Sequence, residues 1–162
     1  MKYKVYDDYL SNLSFKKIEN ILSSNNFPWY IQPYLTGLEK DNINNYYFAH
    51  TFYDNDKINS DYYYLWEELL TKIKSKKLIR IKANLYTKTD KVIEHTKHID
   101  YDFKGFTSIY YVNTNNGYTN LNDKIKIKST ENRFLMFDNN IKHNSSTCSN
   151  KKYRLTVVIN YK

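Results

Sequence analysis

One cysteine, Cys148, stands in the whole chain, so no intramolecular disulfide can form and a disulfide framework is excluded. Its isolation fits a reducing compartment. Glycine and proline are also scarce, at 3 and 2 residues, and no internal repeat or low-complexity linker divides the chain. No apolar run approaches the roughly 18 residues of a membrane span. The segment Met1-Lys2-Tyr3-Lys4-Val5-Tyr6-Asp7 lacks the apolar core of a signal peptide. A soluble, cytoplasmic protein with no membrane partner is the expectation. Basic runs are missing too. Despite a formal charge of +8, lysines sit in pairs at most (Lys16-Lys17, Lys76-Lys77, Lys151-Lys152). Nucleic acid is therefore an unfavoured partner, and a solvated basic surface that attracts anionic molecules is the preferred reading.

What is present is apolar and aromatic. Hydrophobic residues make up 41% of 162 residues, 18 of them tyrosines, and only 26% are charged. Such a chain folds, and its length suits one domain, 1–162. Ser14, as N-cap, opens an amphipathic helix over 15–22 with Phe15, Ile18, Ile21 and Leu22 on one stripe. Residues 46–53 alternate as a strand, with His50 read as a satisfied core histidine. A second helix spans 60–75 through Tyr62, Leu65, Trp66, Leu69 and Ile73. The period then changes to two. Strands are expected at about 78–87, 92–100, 106–113, 117–121, 124–129, 132–138, 142–146 and 153–161. Helices followed by a continuous β region argue for an α+β fold: a double-stranded β-helix (jelly roll) of about eight strands. Residues 1–76 form its helical support with one or more extra strands, and 77–162 its core.

Strand parity separates two faces. On 153–161, Leu155, Val157 and Ile159 oppose Arg154, Thr156, Val158 and Asn160. On 80–86, Ile81, Ala83 and Leu85 oppose Arg80, Lys82, Asn84 and Tyr86. Thr107, Ile109, Tyr111 and Asn113 share a face of the third strand. An inward arginine needs an anion, and a carboxylate suits its bidentate fork. Lys82 and Asn160 are candidates for the substrate side, Lys82 through an anion on the substrate. The pair His98-x-Asp100 places an imidazole and a carboxylate on one face of a strand. His143 is the third candidate ligand, followed by Arg154. Two histidines and a carboxylate, with the opposite face open, suit non-haem Fe(II). His95 is placed in solvent or at the pocket rim, and Cys148 has no base partner.

The order Thr107-Ser108-Ile109-Tyr110-Tyr111-Val112-Asn113, Gly117, Asn132-Arg133-Phe134-Leu135-Met136-Phe137, His143, Tyr153-Arg154-Leu155-Thr156-Val157-Val158 resembles the 2-oxoglutarate/Fe(II)-dependent dioxygenases. The likeness is to the prolyl-hydroxylase-like branch and spans about 78–161. It implies that His98, Asp100 and His143 bind Fe(II), that Arg154 and Tyr111 hold the distal carboxylate of 2-oxoglutarate, and that Tyr86 contacts the same cosubstrate. Parity adds Thr107 and Asn84. It also implies O2 as co-reactant, with hydroxylation of a substrate C–H and release of succinate and CO2. The substrate remains open among a prolyl or other protein side chain, an amino acid, a nucleotide and a small metabolite. A non-catalytic, cupin-like binding protein is the rival reading. Three departures stand out. Arg154 replaces the lysine of collagen-type enzymes, Asn116-Gly117 replaces a common Gly-Gly pair, and Asn160 replaces a tryptophan or aliphatic residue.

Overall fold

The computed structural model describes residues 3–34, 46–102 and 104–162. They form β1 (Tyr3–Tyr6), α1 (Asn12–Leu22), β2 (Tyr30–Gln32), β3 (Tyr47–Asp54), β4 (Lys57–Ile58), a 3-10 helix (Asp61–Trp66), α2 (Glu67–Ile73), β5 (Leu78–Thr87), β6 (Phe106–Tyr111), β7 (Tyr118–Leu121), β8 (Ile125–Lys128), β9 (Arg133–Asp138), β10 (His143–Asn144) and β11 (Tyr153–Tyr161). A large antiparallel sheet runs β1-β9-β6-β11-β5-β3-β2, with β4 on β3, and a small one runs β10-β7-β8. This is the jelly roll expected.

The odd-numbered face of β11 and the matching face of β5 are apolar because they meet the helices. Ile81, Ala83, Leu155, Val157 and Ile159 share a core cluster with Phe15, Ile18 and Leu22 of α1 and with Leu65, Trp66 and Leu69. A second cluster lies between the sheets around Ile109, Tyr111, Leu121, Leu135 and Phe137. His50 is buried at 5% exposure, with Nδ1 2.7 Å from Pro28 O and Nε2 2.7 Å from Ser60 Oγ.

Four local expectations differ from the structure. The N-cap of α1 is Ser11, whose Oγ accepts from Ser14 N; the first turn is solvated, Leu13 being 83% exposed, and so carries no periodic signal. The second helix splits into a 3-10 segment and α2. The predicted strand 92–100 pairs with the chain around β10 only through isolated bridges, Glu94 with Ser146 and His98 with His143. Finally, β1, β2 and β4 are short exposed edge elements that alternation does not reveal.

Glu68 ties the two helices together. Ser11 N (2.8 Å) and Ser11 Oγ (2.7 Å) both donate to its carboxylate. Partial burial opposes ionisation, but these donors and Lys72 prevail and hold Glu68 down at about 2, below the ordinary 4.5. A depressed carboxyl stabilises the fold above its unfolded value and loses that contribution as the pH falls toward its folded one. Melting temperature should therefore fall between about pH 4.5 and pH 2 more steeply in the wild type than in Glu68→Gln. Parallel curves would remove Glu68 from this role.

Candidate metal and carboxylate site

The two bridges around residue 94 explain how the triad assembles. Between them, Glu94 to His98 spans four residues while Ser146 to His143 spans three, so one extra residue bulges on the first side. Bulges re-aim side chains at the rims of barrels. His98 N donates to His143 O (2.9 Å) and His143 N to His98 O (3.0 Å), which sets the two imidazoles side by side with ring centroids 4.7 Å apart. Asp100 Oδ1 lies 3.5 Å from His98 Nε2. One ligand atom from each of His98, Asp100 and His143 falls within 4.8 Å of the others. The sequence-predicted triad converges.

Each group is oriented from behind. Nδ1 of His98 lies 3.2 Å from Thr96 O, and Nδ1 of His143 lies 3.1 Å from Ile141 O. A proton on each Nδ1 donates to that carbonyl and leaves both Nε2 lone pairs for a metal. Asn160 Nδ2 donates to Asp100 Oδ2 (2.9 Å), which turns Oδ1 toward His98. Burial opposes ionisation of Asp100, yet His98, Arg80 and Asn160 hold its carboxyl well below the usual carboxylate range. Burial would also lower His98, but the Asp100 carboxylate reverses this and its affinity for a proton rises. His143 is pushed down by burial.

The triad opens into a cavity of about 310 Å³ lined also by Lys82, Asn84, Tyr86, His95 and Arg154. Arg154 is wholly buried, and among the described residues no carboxylate pairs with it. Among the described residues its guanidinium donates only to neutral oxygens: Ser129 Oγ (2.7 Å), Ser145 Oγ, Ser146 O (3.3 Å) and Thr119 Oγ1 (3.2 Å). Burial lowers its proton affinity. The rings of Tyr86 and Tyr111 flank it, each 5.7 Å from the guanidinium carbon, and burial pushes both phenols up to about 12. Two further polar atoms of residues that line the cavity, Asn84 Oδ1 and His95 Nδ1, are buried without a hydrogen-bond partner among the described residues. Burial keeps His95 neutral, its affinity lowered to about 3. A buried guanidinium with no carboxylate partner among the described residues suits a dicarboxylate ligand, and two imidazoles with one carboxylate suit Fe(II). Both groups fit the residues present.

Gly117 makes room for the arginine. A Cβ there would stand 2.6 Å from Arg154 Cδ and 2.6 Å from Thr147 O. The aliphatic stem of Arg154 therefore lies where any other residue would place a side chain.

Lys82, Asn84 and Tyr86 line the cavity, as parity predicts. Tyr111 lies behind the wall, its OH donating to Thr119 Oγ1 (2.8 Å). Thr107 and Asn160 do not line the cavity. Asn160 also accepts from Arg80 Nε (3.1 Å) and donates to Thr107 Oγ1 (3.1 Å), which itself donates to Asn139 Oδ1 (2.7 Å). They face the right way, but the Asp100 carboxylate takes the space in front of them. This replaces the substrate-side expectation for Asn160 and the cosubstrate expectation for Thr107 with a supporting chain behind the Asp100 carboxylate.

His95 also departs from its expected position. Its ring lies in the cavity, 4.8 Å from that of Tyr86. On a regular strand residues 95 and 98 would face oppositely, and the bulge brings both inside. Tyr47 and Arg80 also line the cavity, and their strand parity marks them; Thr119 and Ser145 carry no comparable signal.

No family model and no curated protein matches the sequence. Solved structures do match. An oxidoreductase of the 2-oxoglutarate/Fe(II) oxygenase family from Burkholderia pseudomallei aligns with a TM-score of 0.72 at 12% identity, over 99% of this chain and 84% of that one. The chain has the fold of the 2-oxoglutarate/Fe(II) oxygenases. A viral collagen prolyl hydroxylase from Paramecium bursaria Chlorella virus-1, in its 2-oxoglutarate complex, aligns with a TM-score of 0.66 at 12% identity over 100% and 97%. The α-ketoglutarate-dependent epimerase of nogalamycin biosynthesis aligns with 0.66 at 12% identity over 99% and 77%. This oxygenase fold thus carries both hydroxylation and epimerisation, and site chemistry must decide function. Among the described residues no helix is long and apolar enough to cross a membrane.

Proposed function

We propose that this protein is an Fe(II)- and 2-oxoglutarate-dependent oxygenase that hydroxylates a substrate C–H. One observation carries the reading: a wholly buried arginine with no carboxylate partner among the described residues shares a cavity of about 310 Å³ with a convergent His-Asp-His set. A binding protein without turnover has no use for that combination of an open metal face and an unmet cation.

His98 and His143 through Nε2, and Asp100 through Oδ1, would hold the metal. Thr96 O, Ile141 O and Asn160 fix their orientation. Arg154 would pair with the distal carboxylate of 2-oxoglutarate. Ser145 and Thr119 keep its fork aimed, and Tyr86 excludes water from one side. When bound, Fe(II) and 2-oxoglutarate supply O2 activation and C–H hydroxylation, with succinate and CO2 as co-products. The protein's share is orientation. Nothing in the triad would be free to act as a general base, because all three side chains would be ligands.

The prolyl and other protein side chains, amino acids and small metabolites remain the substrate classes of this proposal, and the viral prolyl hydroxylase supports the first. The purified protein, supplied with Fe(II), 2-oxoglutarate and air, should form succinate slowly without substrate and faster when a peptide or amino-acid screen finds one. Absence of succinate at every iron concentration would leave only a binding protein.

A further inference from the structure

At the end of the same wall remote from Arg154, β5 and β3 bring a further cation to the cavity. Lys82 Nζ donates to Tyr47 OH (2.7 Å) and lies 5.0 Å from the Tyr47 ring centroid. Among the described residues no carboxylate lies within ion-pair distance of it. Arg80, two residues back on the same face, is already engaged by Asp100 Oδ1 (3.5 Å) and Asn160. Lys82 is the uncommitted one.

Charge balance gives this position a meaning. Among the described residues the lining carries Arg80, Lys82 and Arg154 but only one carboxylate, Asp100. Fe(II) and 2-oxoglutarate have equal and opposite charges, so filling the site with both leaves the excess of two positive charges in place. Excess charge in a half-buried cavity is costly until an anion arrives. Resting on the oxygenase reading, we propose that the substrate bears an anionic group, a carboxylate or a phosphate, which Lys82 binds with Tyr47 as second donor.

Register separates this subsite from the cosubstrate end. Arg154 pairs with Tyr86 across β11 and β5, and Val158 with Lys82. The two rows are four residues apart, roughly 13 Å along the strand. Val158 in turn pairs with Ile109 on β6, so Lys82 sits across the sheet from the cavity's Ile109 side, two strand spacings or roughly 10 Å away. The cavity's volume is at the low end for ligand pockets. Beside a cosubstrate it admits one short group, so the anion lies within a few bonds of the reacting carbon. Burial and the neighbouring Arg80 charge push the Lys82 ammonium down to about 8, as a site awaiting an anion would show.

The test uses N-acetyl-N′-methylamides of glutamate, glutamine, O-phosphoserine and serine, in which the side chain is the only charge. Each is titrated calorimetrically under nitrogen into the protein holding Fe(II) and 2-oxoglutarate, where no turnover occurs. At least one acid should bind tenfold or more tighter than its neutral counterpart; glutamate marks a carboxylate subsite and phosphoserine a phosphate subsite. Lys82→Met should erase the preference while 2-oxoglutarate still binds, and Lys82→Arg should retain it. Equal binding of acids and neutral forms, or no binding of any probe, overturns the inference. So does a Lys82→Met variant whose defect is in 2-oxoglutarate affinity. Failure of the wild type to bind 2-oxoglutarate at all would instead bring down the oxygenase reading beneath it.

Discussion

Asp100→Ala should leave a folded protein that neither retains iron through gel filtration nor forms succinate from 2-oxoglutarate. The carboxylate would supply the one anionic ligand of the triad and stands 3.5 Å from both His98 Nε2 and Arg80 Nη2. Without it, two imidazoles face an uncompensated guanidinium, and a divalent cation is repelled from where it was drawn. Removing an outer partner of a ligand typically costs roughly 10–100-fold in metal affinity. Asn160→Leu, which frees Asp100 Oδ2, should fall in that range and recover turnover at high iron. The Asp100 variant should lie beyond it and not recover. Iron retention equal to wild type in Asp100→Ala would dissolve the metal assignment.

Arg154→Met is expected to separate cosubstrate binding from fold stability. Charge-assisted hydrogen bonds contribute about 1.5–3 kcal/mol each, so loss of the fork should weaken 2-oxoglutarate binding by roughly 100-fold or more. The ligand-free protein should melt no lower than wild type. Among the described residues Arg154 donates to neutral oxygens and to no carboxylate, so relief from burying an uncompensated charge offsets the loss of these hydrogen bonds. Saturating 2-oxoglutarate should raise the melting temperature of the wild type, by the linkage between ligand occupancy and stability, and leave the variant unmoved. Equal upward shifts in both proteins would place the dicarboxylate elsewhere.

Strand parity read the site well where strands are regular. Arg154, Tyr86, Asn84 and Lys82 lie on uninterrupted stretches of β11 and β5, so a period of two suffices to place them. The apolar partners Leu155, Val157 and Ile159 follow from the same rule. Parity failed where the ladder is broken. His95 enters the cavity because of the bulge, a feature with no side-chain signature in this sequence. Parity gives Thr107 and Asn160 the right direction but not their neighbours, since it names a face and is silent on what occupies the space before it. The orienting carbonyls of Thr96 and Ile141 were invisible for a simpler reason: backbone oxygens leave no trace in residue identity.

The mutual backbone pairing of His98 and His143 has a further consequence. The cation would clip together two segments remote in sequence at the spot where their ladder is thinnest. Emptying the site should therefore loosen the turn around 94–100 and the edge near 143–147 together, and amide exchange there should quicken while α1 stays protected. The protein's local rigidity, and with it its exposure to proteolysis, would then rise and fall with the ferrous iron available around it.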